Sequence, residues 1–145
     1  MNDETWAFGS LANLYADQGH LSEAQAMYQR ALQGKEKAWG PDHTSTLDTV
    51  NNLGLLYADQ GRLGEAEAMY QRALQGYKKA LGDDMVKTYP PALNTLGNLG
   101  NLLREQGKGE AANGYYTRAE YGARIVNGVG SPRHARIVAK LQTVS

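Results

Sequence analysis

The sequence predicts an all-α solenoid: three stacked helix pairs closed by one further C-terminal helix. Three observations predict it. The chain repeats itself at a period of 42 residues, the apolar residues inside each copy fall on helical spacing, and glycine stands where each helix should stop. The hexapeptide Leu-Tyr-Ala-Asp-Gln-Gly at 14–19 recurs unchanged at 56–61, and the nine residues at 26–34 recur unchanged at 68–76. Over 11–38, 21 of 28 positions match their partners at 53–80. A more diverged third copy lies 46 residues further on, where Tyr116-Thr117-Arg118-Ala119 follows Tyr70-Gln71-Arg72-Ala73. The four additional residues fall in a connector, around 85–89. A period of 20–50 residues marks supersecondary units that bury their apolar faces against one another.

The elements follow in order. The first pair is expected at about 4–18 and 22–39, ending before Gly19 and Gly40. In the second copy Val50, Leu53, Gly54 and Tyr57 stand at i, i+3, i+4 and i+7, one face of a helix over 46–60. Gly61 stops it, as glycine does when the chain must turn left-handed. Leu63, Ala66, Met69, Tyr70, Ala73, Leu74 and Tyr77 then set a helix over 64–81. Pro90-Pro91 suit the first turn of a helix over 91–106, and its partner spans 109–127. Ser131 as N-cap with Pro132 behind it begins a last helix at 132–143. Its Ile137, Val138 and Leu141 face inward, and Arg133, Arg136 and Lys140 share another side. Such a helix closes the end of a solenoid. The expected organisation is one domain over 1–145, with repeat 1 at about 4–45, repeat 2 at about 46–90, repeat 3 at about 91–130 and the capping helix at about 131–143.

Composition narrows the function. A formal net charge of zero draws neither nucleic acid nor an anionic membrane. The zero hides a gradient: residues 1–110 carry 10 Lys/Arg against 14 Asp/Glu, whereas 111–145 carry five cations against Glu120 alone. Lys78-Lys79 and this C-terminal basic set lack interleaved aromatics and read as solvated faces. With no cysteine, disulfides, thiol catalysis and Cys-ligated zinc are excluded. The acidic start has none of the features of a signal peptide, and no apolar run reaches the ~18 residues that span a bilayer. The expectation is a soluble, cytoplasmic protein. His20, His43 and His134 sit in three different repeat positions without companions at metal-ligand spacing, so each is read as structural or capping. The string 127–130, Asn-Gly-Val-Gly, lacks a preceding strand and is a loop. No nucleophile elbow, P-loop or sheltered carboxylate pair is present, and no enzyme activity, metal or cofactor is expected.

A resemblance now becomes specific. The tetratricopeptide (TPR) signature is a large apolar residue, Leu-Gly three and four later, then Tyr, then Ala-x3-Phe and a further Ala. Copy two supplies Val50, Leu53-Gly54, Tyr57, Ala66, Tyr70 and Ala73. Copy one supplies Phe8, Leu11-Ala12, Tyr15, Ala24, Tyr28 and Ala31; copy three supplies Leu96, Leu99-Gly100, Leu103, Ala112, Tyr116 and Ala119. The chain thus resembles the TPR family over about 5–128. Its departures are Ala12 for Gly, Leu103 for Tyr, and Tyr for Phe throughout, all conservative. The 42-residue length and Gly40-Pro41-Asp42-His43 in the connector resemble the kinesin-light-chain-like subclass. The near-identical copies resemble the C-terminal repeat arrays of STAND/NB-ARC-type signalling proteins. The resemblance implies a right-handed superhelix whose first helices line a concave, peptide-docking surface, and a protein–protein interaction module. Two alternatives stay open: a sensor or autoinhibitory arm of a STAND-type signalling NTPase, and a self-assembling structural array.

On that reading a candidate peptide face can be named. At ~100° per residue, Asp48, Asn52, Leu55 and Asp59 lie about 140–200° from Val50. Their counterparts are Trp6, Ser10, Asn13 and Asp17 in copy one, and Asn94, Asn98, Asn101 and Glu105 in copy three. Asn offers donors and an acceptor to a peptide backbone. The competing reading is a merely solvated face. Asp17, Asp59 and Glu105, with Asp48, form an acidic row, and Arg104 is the one cation expected nearby. The expected ligand is a neutral or basic peptide, and acidic chaperone-type tails are disfavoured. Trp6 is either an aromatic anchor there or packing for a preceding repeat. Trp39 is read as interhelical packing. Opposite charges at the two ends, Asp3 and Glu4 against Arg133, Arg136 and Lys140, favour weak head-to-tail self-association.

Overall fold

A computed structural model describes the backbone of residues 3–143 and the side chains of residues 9–141. All regular structure among them is helical: α1 (Asp3–Asp17), α2 (Leu21–Trp39), α3 (Thr44–Asp59), α4 (Leu63–Leu81), α5 (Asp83–Val86), α6 (Pro90–Glu105), α7 (Gly109–Asn127) and α8 (Pro132–Thr143). The seven expected helices appear, with ends within two residues of expectation. Glycines do end them: Gly19, Gly40, Gly61, Gly82, Gly107 and Gly128 all adopt positive φ. The single addition is α5, one turn in the long connector. Gly82 breaks α4, and Asp83 and Asp84 then occupy the first turn of a new helix, where carboxylates suit the positive end of the helix dipole. The chain divides into two compact units, Met1–Ala80 and Leu81–Ser145.

In the first unit α1 packs on α2 and α2 on α3. The core is Ala24, Tyr28, Ala31, Leu47, Val50, Leu53, Leu56, Ala66, Tyr70, Ala73 and Tyr77, the small and large signature positions together. Gly54 shows why a small residue is needed: a Cβ there would stand 2.6 Å from Tyr70 Cε1. Copy one places Ala12 at that position, and its partner Tyr28 is correspondingly less deep, 6% exposed against 1% for Tyr70. Identical residues also meet different surroundings. Leu56, with α2 against its helix, is 2% exposed; its counterpart Leu14 on α1 is 51% exposed.

In the second unit α6 packs on α7 and α7 on α8. A Cβ on Gly100 would lie 2.5 Å from Tyr116 Cε1, the same close approach as at Gly54. Gly122 is hemmed in further, by the Lys87 carbonyl oxygen at 2.4 Å and the Leu93 side chain. Ile137 and Leu141 of α8 pack against Leu103, Ala112 and Tyr116, as the apolar side of a capping helix should. His134, buried, fastens α8 to what precedes it: its Nδ1 accepts from the Gly130 N–H at 3.2 Å and its Nε2 meets Glu120 Oε1 at 2.9 Å. His43 caps α3, its Nδ1 accepting from the Ser45 N–H at 3.1 Å. Both histidines are structural. Trp39 corrects the expectation of interhelical packing: it is exposed and stacks on the connector residue His43, ring centroids 4.7 Å apart.

Candidate docking faces on the first helices

The face opposite the tyrosine core is organised by tyrosine hydroxyls. Tyr116, buried on α7, donates from its hydroxyl to Asn101 Oδ1 on α6 at 2.6 Å. Tyr28 on α2 makes the same bond to Asn13 Oδ1 on α1. By sequence alone Tyr in place of Phe is a conservative change. In the structure the hydroxyl has a role of its own, because it holds the carboxamide oxygen, and the other polar group of the side chain is a donor NH2. The signal is present in the sequence, since Asn13 with Tyr28 and Asn101 with Tyr116 keep one spacing of fifteen residues.

In the first unit five of the expected residues meet. Asn13, Asp17, Asn52, Leu55 and Asp59, with Ala16, Tyr28 and Leu56, line an open cleft of about 260 Å3. Asp17, Asp59 and Leu55 are exposed and Asn52 is half-buried. Burial, and then the carboxylate of Asp17, push the Tyr28 hydroxyl above its ordinary pKa. Two expected residues fall elsewhere. Ser10 is exposed but lines no part of this cleft. Asp48 is half-buried and accepts from the Tyr77 hydroxyl, so it is committed to the helix pair instead of the acidic row. Lys35 on α2 stands close to it, donating to Thr49 Oγ1 at 2.9 Å and to the Ser45 carbonyl at 3.3 Å. Burial lowers the pKa of Lys35, and Asp48 partly offsets the effect. The side chain of Trp6 lies outside the described residues.

The second unit departs further from expectation. Asn94 accepts from Arg133, which also reaches the Pro90 carbonyl at 3.3 Å. Asn101 Oδ1 accepts a second bond, from Lys140 Nζ at 3.0 Å. Arg104 and Lys140 each stand near the Tyr116 ring, 5.8 and 5.7 Å from its centroid. Two of the α8 cations, Arg133 and Lys140, a solvated side by sequence, therefore turn onto asparagines of α6. Periodicity tells which side of α8 they occupy but not what lies opposite that side. Burial, followed by Arg104 and Arg136, lowers the pKa of Lys140. Burial raises that of Tyr116, and Arg104 partly offsets it. Asn98 is half-buried and Glu105 exposed. Among the described residues no group of three or more His, Asp or Glu could hold a metal ion, and no helix is long and apolar enough to cross a membrane.

Paired helices with small residues at the crossing, and polar side chains on the first helix of each pair, define a helical-repeat protein. Residues 3–79 match a tetratricopeptide-repeat family model, and residues 92–134 match another of the same description. The chain belongs to the tetratricopeptide-repeat family. Among solved structures it is similar to BtubC (BKLC) from P. vanneervenii, at TM-score 0.84 and 20% identity, over 97% of this chain and 54% of that one. It is also similar to a kinesin-light-chain-type protein of P. anserina with nearly identical TPR-like repeats, at TM-score 0.74 and 17% identity, over 97% of this chain and 67% of that one. The N-terminal domain of stress-induced protein-1 from C. elegans matches at TM-score 0.64 and 17% identity, over 97% and 96%. At such identities these likenesses establish the fold, and the chain spans about half the length of BtubC. No curated protein matches it in sequence.

Proposed function

We propose that the chain is a protein-interaction module, without catalysis or cofactor, that docks an extended peptide segment or helix of a cytoplasmic partner on the first-helix faces of its repeats. The observation that carries this reading is the cleft of the first unit. There Asn13 presents an amide whose oxygen is already held by Tyr28, and Asn52 stands near an exposed Leu55 and two exposed carboxylates. An amide donor suits a peptide carbonyl, Leu55 gives apolar contact, and Asp17 and Asp59 favour a neutral or basic segment over an acidic one. Nucleic acid and membrane surfaces do not suit an acidic cleft.

The test is a peptide array followed by titration of the best binder. Asp17→Asn with Asp59→Asn should weaken a lysine-bearing binder about tenfold, with thermal stability unchanged because both sites are exposed. Unaltered affinity in the double variant refutes the assignment of this cleft. A second reading, stacking of a further repeat or chain on α1, is favoured by one observation: Leu11 and Leu14 are exposed, while their counterparts Leu53 and Leu56 are buried. Light scattering across a concentration series at low and high salt separates the two. A strict monomer at high concentration and low salt removes the self-association reading.

A further inference from the structure

The dipeptide Asn-Gly occurs twice in the chain, at 113–114 and at 127–128. It is chemically unusual, because glycine has no Cβ to shield its backbone nitrogen from the carboxamide carbon of the preceding asparagine. The fold treats the two copies differently. Gly114 lies inside α7, where its N–H belongs to the helix's own hydrogen-bond ladder, and Asn113 is half-buried with its Oδ1 covered. Asn127 is the last residue of α7 and is exposed, and Gly128 has already left the helix at φ 93°. The Gly128 N–H donates to the Arg124 carbonyl at 3.0 Å. Val129 beyond it is 79% exposed, so the turn is open to solvent. An end of this kind frays far more often than a helix interior opens.

We propose that Asn127-Gly128 is a self-modifying site, which closes to a cyclic imide and reopens in part as isoaspartate, and that the change loosens α8. When the helix end frays, the Gly128 nitrogen gives its proton to solvent and attacks Asn127 Cγ. A new C–N bond closes the ring, and the side-chain nitrogen takes up a proton and leaves as ammonia. Water then opens the imide. Addition at the side-chain carbonyl yields aspartate. Addition at the backbone carbonyl yields isoaspartate, whose main chain runs through Cβ and Cγ and is one carbon longer. Oxidation states do not change, and water is the only co-reactant.

The position makes the change consequential for α8. The segment 128–131 tethers that helix: the Ser131 N–H donates to the Gly128 carbonyl at 3.2 Å, and the Gly130 N–H to His134 Nδ1 at 3.2 Å. An added main-chain carbon just before Gly128 moves this turn out of register with α7 and takes the Gly128 N–H off the Arg124 carbonyl. The new carboxylate also stands at the carbonyl end of α7, where the helix dipole disfavours negative charge. Arg124, in the same last turn, offsets part of that penalty.

The experiment is incubation of the full chain in warm buffer made with 18O-labelled water, followed by cleavage after Lys and Arg. That cleavage puts the two Asn-Gly pairs on separate peptides, 109–118 and 125–133. The 125–133 peptide should take up 18O as its carboxamide becomes a carboxylate, and fragmentation should show isoaspartate at 127. Asn127 should convert at least about tenfold faster than Asn113, which waits on opening of the helix interior. Equal rates would mean that the helix end gives no advantage, and aspartate alone would mean direct hydrolysis without the Gly128 nitrogen. Either result overturns the site, as does an unchanged 125–133 peptide. For the effect on α8, amide exchange is compared among the converted chain, Asn127→Asp, and an equally incubated Asn127→Gln, whose longer side chain closes the larger ring poorly. Position 127 is exposed, so both variants keep the fold. Exchange of the α8 amides should quicken about tenfold in the converted chain, as for the net loss of one hydrogen bond. The charge alone, in Asn127→Asp, should quicken it about twofold. Exchange in the converted chain no faster than in Asn127→Gln would overturn the coupling to α8.

Discussion

Gly122→Ala is the sharpest test of how tightly the helix pairs are closed. A Cβ at this position would lie 2.4 Å from the Lys87 carbonyl oxygen and 2.3 Å from Leu93 Cδ2, where ordinary contact is 3.4–4 Å. About 1 Å of separation must be found, and one of the obstacles is backbone. Forcing extra volume into a packed site costs about 1–3 kcal/mol. Alanine recovers up to ~1 kcal/mol of helix propensity, because glycine is the poorer helix former. The net expectation is a loss of about 1–2 kcal/mol. Gly114→Ala, in the same helix α7 with nothing within 4 Å of its Cβ, keeps only the propensity term and should gain about 0.4–1 kcal/mol. Urea unfolding followed by far-ultraviolet circular dichroism measures both, and the gap between them, about 1–3 kcal/mol, isolates the steric term. Equal stability of the two variants would refute the close approach. Gly100→Ala should fall between them, since its obstacle is a side-chain ring, Tyr116, and not backbone.

Three further outcomes are expected. Leu56→Ala should cost ~2–5 kcal/mol and Leu14→Ala about 0.5 kcal/mol or less, although the two leucines occupy equivalent positions of near-identical repeats; denaturant midpoints compare them directly. Tyr116→Phe should cost about 0.5–1.5 kcal/mol and shift the side-chain amide resonances of Asn101, whereas an unmoved Asn101 would show that Lys140 alone orients it. Tyr28 and Tyr116 are raised in the folded state above their ordinary value of 10.0, so their share of stability is intact below pH 10 and is lost as pH rises through the folded values. Lys35 and Lys140, lowered from 10.5, act in the other direction as pH approaches that value. The Tyr28→Phe, Tyr116→Phe double variant should therefore flatten the alkaline decline in melting temperature, and an unchanged decline would place its origin elsewhere.

The helices and their ends were legible because each depends on local chemistry. Gly19, Gly61 and Gly107 turn left-handed where the repeat puts them, and the spacing of Val50, Leu53 and Tyr57 marks a buried face with no help from other repeats. The α5 turn was hidden because its one signal, two acids after Gly82, competes with the plain length of a connector. The docking face was legible as an angle and illegible as chemistry. A helical wheel puts Asp48 in line with Asn52 and Asp59, yet it carries no knowledge of Tyr77 or Lys35, which come from other helices and take Asp48 out of the row.

The same limit explains why the charge of repeat 3 is not legible along its own first helix. Counting along α6 finds Arg104 and Glu105 and nothing else charged. The cations that decide the field come from α8, more than thirty residues away in sequence, and they arrive because Ile137 and Leu141 must cover Leu103 and Tyr116. Burial of an apolar stripe sets the rotation of α8, and that rotation carries Lys140 to Asn101 and Arg133 to Asn94. The electrostatics of this face is therefore a consequence of packing. A variant such as Leu141→Ala, which weakens that packing without touching a charge, should shift the side-chain amide resonances of Asn101 as α8 loosens. If those resonances hold while α8 amide exchange accelerates, Lys140 reaches Asn101 without the packed stripe, and packing does not set the field.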